Sequence, residues 1–181
     1  MRTLGLEGRA GDELDRMIAS VAAGSDGLRF RPLLAPGGGA GLPAGTPGQL
    51  DGLRLSHSPA HILRAVVEGL AMELARHLGF LRSRDVAVER IALCGEAACS
   101  DVTPQIVADT AGVPVACVTE TAVSALGAAV LARAVAEDPT DLARLADEQA
   151  PAVRIVRPGP NEPLYRATFE QYLASLPQGE T

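Results

Sequence analysis

Ile91-Ala92-Leu93-Cys94-Gly95-Glu96-Ala97-Ala98-Cys99-Ser100 is the stretch whose reading decides the fold of this chain. Ile91 to Cys94 reads as the end of a strand, Gly95 to Ala98 as a turn with very little side chain, and Ser100 to Ala111 as a helix closed by Gly112. Such a turn lets backbone approach a ligand closely. The helix behind it points its N-terminal amides and dipole at anything electron-rich. The candidate nucleotide-binding residues are therefore Gly95, Glu96, Ala97, Ala98 and Ser100. The competing reading is a plain strand-to-helix connection in which Ser100 serves as the cap.

Working outward, Val113–Val118 reads as a second strand and Thr121–Ala136, with Ala125-Leu126-Gly127-Ala128-Ala129 inside it, as an Ala-rich helix. Upstream, Ser58-Pro59 opens the longest helix: Ser suits the cap, and Pro the first helical position. Ile62, Val66, Leu70, Leu74, Leu78 and Leu81 follow at helical spacing and predict one buried face. Further helices are expected over 13–23 and 163–176, with a turn or two at 141–147. Leu164, Phe169, Tyr172 and Leu176 are expected to face inward in the last of them. Strands are expected over 28–34, 88–93 and 153–156. Residues 35–48 hold six Gly and three Pro and read as a flexible loop. Strands alternating with helices imply a mostly parallel α/β layer structure.

Composition narrows the function classes. The chain has 181 residues, 47% of them hydrophobic, enough for one domain with a real core. A net charge of −6, no Trp and five Phe and Tyr together disfavour a nucleic-acid partner. No stretch approaches the roughly 20 apolar residues of a membrane span, and 1–7 lacks the apolar core of a secretory signal, so a cytoplasmic protein is expected. The 16 basic residues are all Arg. Without Lys there is no Walker-type phosphate loop and no Schiff base.

Cys94, Cys99 and Cys117 form no CxxC pair and are expected as buried reduced thiols. His57 and His61 stand four apart, which would suit a metal on a helix, but His57 precedes the cap and no third ligand accompanies them. His77 is expected to be partly buried. Arg64, Glu68 and Glu73 read as a solvated face with Arg64 and Glu68 as a weak surface pair. Gln105 and Asp109 read as polar helix positions, Glu120 as a helix cap, and Gly127-Ala128-Ala129 as a close helix-on-sheet contact.

With those residues placed, the chain resembles the C-terminal portion of the FGGY carbohydrate kinases, most of all the xylulokinases. Residues 27–34 resemble the segment leading into that family's hinge loop, and 52–69 the stretch ending in a long helix. Ile91 to Asp109 resembles the adenosine motif, with Gly95, Ala98 and Ser100 kept but Glu96 and Ala97 in place of two glycines and Cys99 in place of a basic residue. Residues 120–129 resemble the closing Glu and Gly-Ala-Ala signature and 161–176 the terminal helix. The loop from Ala35 departs from the family's Gly-Glu-Arg-Thr-Pro.

The resemblance implies an actin-like ATPase (ribonuclease H-like) C-terminal domain over 1–181 that lacks its first strands. It implies ATP and Mg²⁺ as cofactors, a xylulose-like sugar or polyol as acceptor, and an N-terminal kinase domain, on the same or a separate chain, as partner. The catalytic aspartate belongs to that other domain, so the expected catalytic set on this chain is empty and the isolated chain is not expected to turn over. Uncovered apolar faces would favour a homo-oligomer. The alternative is a degenerate, non-catalytic interaction or oligomerisation module derived from the same domain.

Overall fold

The computed structural model describes residues 8–34, 42–43, 45–120, 122–137 and 142–177. Most of the expected loop at 35–48 lies outside them. The element order is α1 (Gly11–Ala19), a 3-10 turn (Ser25–Gly27), β1 (Arg29–Arg31), β2 (Gln49–Asp51), α2 (Pro59–Arg82), β3 (Ile91–Leu93), α3 (Glu96–Cys99), α4 (Thr103–Ala111), β4 (Val115–Val118), α5 (Val123–Glu137), α6 (Leu142–Glu148), β5 (Val153–Val156) and α7 (Glu162–Ala174). Strand β2 was not expected. It pairs antiparallel with β1, Phe30 opposite Leu50, and closes the ends of the Gly/Pro-rich segment.

Strands β3, β4 and β5 form one sheet in that order. The expectation of a mostly parallel sheet is corrected: β3 and β4 are parallel, with Ile91 opposite Val115, but β5 lies antiparallel to β4. Two helices, α5 and α6, intervene before β5, and the chain re-enters the sheet from the opposite end. Val115 and Cys117 on one sheet face are fully buried, joined by Ile91, Leu93 and Val156, and meet Met72, Ile106, Tyr165 and Tyr172 from the helices. On the other face of β5, Val153 and Ile155 are 50% and 40% exposed.

Helix α2 starts as its sequence dictates. Ser58 sits in extended backbone ahead of Pro59, and His61 completes a capping box by accepting from the Ser58 amide at 3.1 Å. Its buried face matches the expected stripe only in part: Leu78 is buried and Leu74 packs against the core, but Leu70 and Leu81 are exposed. The helix also buries Leu63, Ala65, Gly69, Met72 and Ala75. Small residues win that face because β1 crosses α2 at backbone contact distance. A Cβ on Gly69 would stand 2.2 Å from the Phe30 carbonyl oxygen, closer than any atom pair tolerates.

Candidate nucleotide-binding turn

Gly95 carries the chain out of β3 with φ 72° and ψ −162°, a conformation essentially reserved for glycine. One helical turn, α3, follows, and Ser100 returns to extended backbone before α4 begins. The helix expected from Ser100 begins three residues later, at Thr103, with α3 as an additional turn ahead of it, and the join between the two is organised by the Ser100 hydroxyl. Its oxygen accepts from the amides of Val102 and Thr103 at 3.2 and 2.9 Å, which are free donors at the start of α4. The same hydroxyl donates to Asp15 Oδ1 on α1 at 2.7 Å.

Those bonds sort the five candidate residues. Ala98 is fully buried in the core, and Ser100 is engaged internally. Glu96 is exposed, and Ala97 and Gly95 are half-buried at the turn's outer side. Glu96 and Ala97, but not Gly95, border a cleft of ≈ 420 Å³ between the turn and α1, floored by Leu14, Ile18 and Val67 and edged by Asp12, Asp15 and Asp101. The volume falls within the range of small-ligand clefts. The carboxylate edge offers hydrogen-bond acceptors to an amine or hydroxyl and repels phosphate. A nucleoside suits this donor and acceptor set; a triphosphate does not.

Several expectations are corrected around the turn. Arg64 and Glu68 are not a surface pair: both side chains are 8% exposed, at 2.7 Å from each other. Arg64 also donates to the Ile18 and Val21 carbonyls at 3.0 and 2.8 Å and to Tyr165 Oη at 2.9 Å. Glu68 accepts from Tyr165 Oη at 2.7 Å, Ser25 Oγ at 2.9 Å and the Gly24 amide at 3.0 Å. Burial, together with the neighbouring Glu68 carboxylate, pushes the Tyr165 phenol well above its ordinary range. Burial acts against the Arg64 charge, but bonds to Glu68 and Tyr165 outweigh it and raise its pKa. Glu73 is likewise half-buried, gripped by Arg76 and by Tyr172 Oη.

Asp109 is a polar helix position as expected, on α4, and it is buried at 2% exposure. It accepts from Gln105 Nε2 at 2.7 Å and from the Gly159 amide at 2.5 Å, fastening the segment before α7 onto α4. Cys94 and Cys99 are exposed and only Cys117 is buried, because the first two lie at the open end of β3 and on the outer side of α3. His77 is exposed too. Leu164 is 43% exposed while Tyr165, one position on, fills the core. Gly127, Ala128 and Ala129 are exposed, and a Cβ on Gly127 would meet nothing within 4 Å, so they make no helix-on-sheet contact. Glu120 accepts from the Ala122 amide at 3.0 Å, one residue ahead of α5. The His57 and His61 rings lie 5.2 Å apart between centroids, tilted by 36°, and His61 Nε2 lies 3.1 Å from Asp26.

Residues 4–136 match the model of the FGGY family of carbohydrate kinases, C-terminal domain. The chain belongs to that family. The FGGY domain is 34% identical over 122 residues to the L-xylulose/3-keto-L-gulonate kinase of Escherichia coli, covering 67% of this chain and 24% of that protein. It is 36% identical over 99 residues to the gluconokinase of Bacillus licheniformis, covering 54% of this chain and 19% of that one. Among solved structures, the xylulose kinase from Rhodospirillum rubrum superimposes with a TM-score of 0.77 at 27% identity, over 96% of this chain and 35% of that one. The chain therefore spans about a quarter of the curated relative's length (24%) and about a third of the solved kinase (35%). Its mixed α/β structure is the actin-like ATPase fold of these sugar kinases. Among the described residues no helix is long and apolar enough to cross a membrane.

Proposed function

We propose that this FGGY domain is the nucleotide side of an ATP-dependent sugar kinase acting on a xylulose-like ketose or polyol, in the cytoplasm. The observation that carries the reading is the Gly95 turn, opening on a nucleoside-sized cleft in a domain of this family. In it the Glu96–Ala97 edge packs against the base and ribose, and the carboxylates of Asp12 and Asp101 accept from amine and hydroxyl groups. ATP, when bound, supplies the transferable phosphoryl group. The acid-edged cleft suits neither phosphates nor their charge, so the triphosphate, Mg²⁺ and the catalytic base are assigned to an N-terminal kinase domain on the same or another chain. The relatives named above are all kinases, which favours this reading over a non-catalytic interaction module.

Calorimetric titration of the chain with adenosine, ADP and Mg·ATP tests it. Saturable binding is expected, with adenosine at least as tight as ADP, because the contacts are to the nucleoside. Absence of saturable binding by all three would overturn the assignment.

A further inference from the structure

The turn is held from outside by two elements remote in sequence. Asp15, in the middle of α1, bonds with each oxygen of its carboxylate: Oδ1 accepts from Ser100 Oγ at 2.7 Å and Oδ2 from the Asp101 amide at 2.8 Å. From the sheet side, the Arg154 guanidinium on β5 donates to the carbonyls of Ala98 and Ser100 at 3.3 Å each. A carboxylate accepting from a backbone amide and a hydroxyl is a charge-assisted contact, stronger than its neutral counterpart.

Helix α1 is itself anchored. The Ile18 and Val21 carbonyls at and beyond its C-terminal end accept from Arg64, which is fixed by Glu68 and Tyr165. Arg64 thereby joins α1 to α2 and α7, and Asp15 joins α1 to the turn. The strut has no counterpart in local sequence: Asp15 and Ser100 are 85 residues apart.

We infer that Asp15 is a positioning residue for the nucleoside-binding turn, acting through Ser100 and the Asp101 amide to hold the Glu96–Ala97 edge open toward the cleft. The role at the ligand rests on the nucleoside reading of that cleft; the hold on the turn does not. Asp15 lies on a helix edged by solvent, so its removal loosens the turn without emptying the core.

Asp15→Asn keeps the size of the side chain but replaces one acceptor oxygen by an NH₂ group that cannot accept. Two measurements on the full chain test the inference. Hydrogen exchange of the 95–103 segment is expected to accelerate in D15N while the rest of α4 exchanges as in the parent chain. The adenosine dissociation constant is expected to rise about tenfold, the scale of one charge-assisted hydrogen bond, with the urea midpoint lowered only modestly and unfolding still cooperative. Ser100→Ala should act in the same direction, and the two effects should combine to less than their sum, because the Asp15–Ser100 contact is shared while the bonds to the Asp101, Val102 and Thr103 amides are not. Unchanged exchange over 95–103 in D15N overturns the inference, as does a lowered urea midpoint with unchanged affinity, which would make Asp15 structural only. If the parent chain binds no adenosine, the nucleoside reading fails, and the exchange result alone still decides whether Asp15 sets the turn.

Discussion

Helices α2 and α5 are both rich in apolar residues, yet one is enclosed and the other is not. Helix α2 meets α1, the β1 strand, α4 and α7, and buries even its charges. Helix α5 has three polar residues, Ser124, Arg133 and Glu137, among its 15, yet leaves Leu131 and Val135 at 56% and 86% exposure. Its main neighbour among the described elements is α6. Composition alone does not bury a helix; neighbours do. The α2 side is a finished core, and the α5 side leaves large apolar side chains in solvent.

The sharpest way to break that contrast is inside the finished core. Glu68→Ala should destabilise the chain by about 3–5 kcal/mol in urea unfolding, because it leaves the Arg64 charge buried without its carboxylate. Tyr165 and Ser25 lose an acceptor in the same step. A cost below about 1 kcal/mol, the range of exposed ion pairs, would mean that water reaches this network and that α2 is no better enclosed than α5.

Next in size is Gly69→Ala. The new methyl carbon would press on the Phe30 carbonyl, so β1 must move off α2, at a cost of about 1–3 kcal/mol typical of overpacking. Gly127→Ala on α5 should do the reverse. Its Cβ enters open space, and the gain in helix propensity stabilises by up to about 1 kcal/mol. Thermal unfolding of the two variants side by side checks the pair; losses of equal size would erase the distinction between the two helices.

The same contrast explains what was legible in the sequence. The strand-turn-helix at Ile91–Ala111, the cap at Ser58 and the family all follow from local pattern, because each depends on residues within a few positions, whereas the antiparallel pairings of β2 and β5 do not. The buried Arg64–Glu68 pair did not, since i,i+4 spacing describes a surface pair and an interior one equally well. Its partners Tyr165 and Ser25 stand 97 and 43 residues from Glu68. Asp15 was missed for the same reason, and no spacing rule links it to Ser100. The Gly127-Ala128-Ala129 contact was expected because small residues usually mark close packing, which presupposes a surface for them to pack on.

A smaller effect separates the two sides through pH. Burial pushes the Glu73 carboxyl up, but hydrogen bonds from Arg76 and Tyr172 outweigh it and hold its pKa below 4.5. A group depressed in the folded state contributes stability above its unfolded pKa and loses it as pH falls through the folded value. The urea midpoint should therefore drop on acidification below about pH 4.5, and Glu73→Gln should flatten that slope. Glu148, which joins Arg133 of α5 to Arg144 of α6, is also held low by those two arginines, led by the bond from Arg133, but it is solvent-exposed. Glu148→Gln should leave the acid slope where it was, and added salt should erase any difference.

The smallest expected effect on stability is also the one that speaks to a partner. Val135→Lys and Leu131→Lys place a charge where the side chain already meets solvent, so each should shift urea unfolding by no more than about 0.5 kcal/mol. If α5 is the face on which the isolated chain associates, sedimentation velocity should show less self-association in both variants. Pairing with an N-terminal kinase domain should weaken in parallel when that domain covers the same helix. A loss of more than about 1 kcal/mol from either substitution would show α5 already packed within this chain, and the unpartnered face would then have to be sought on the outer side of β5, at Val153 and Ile155.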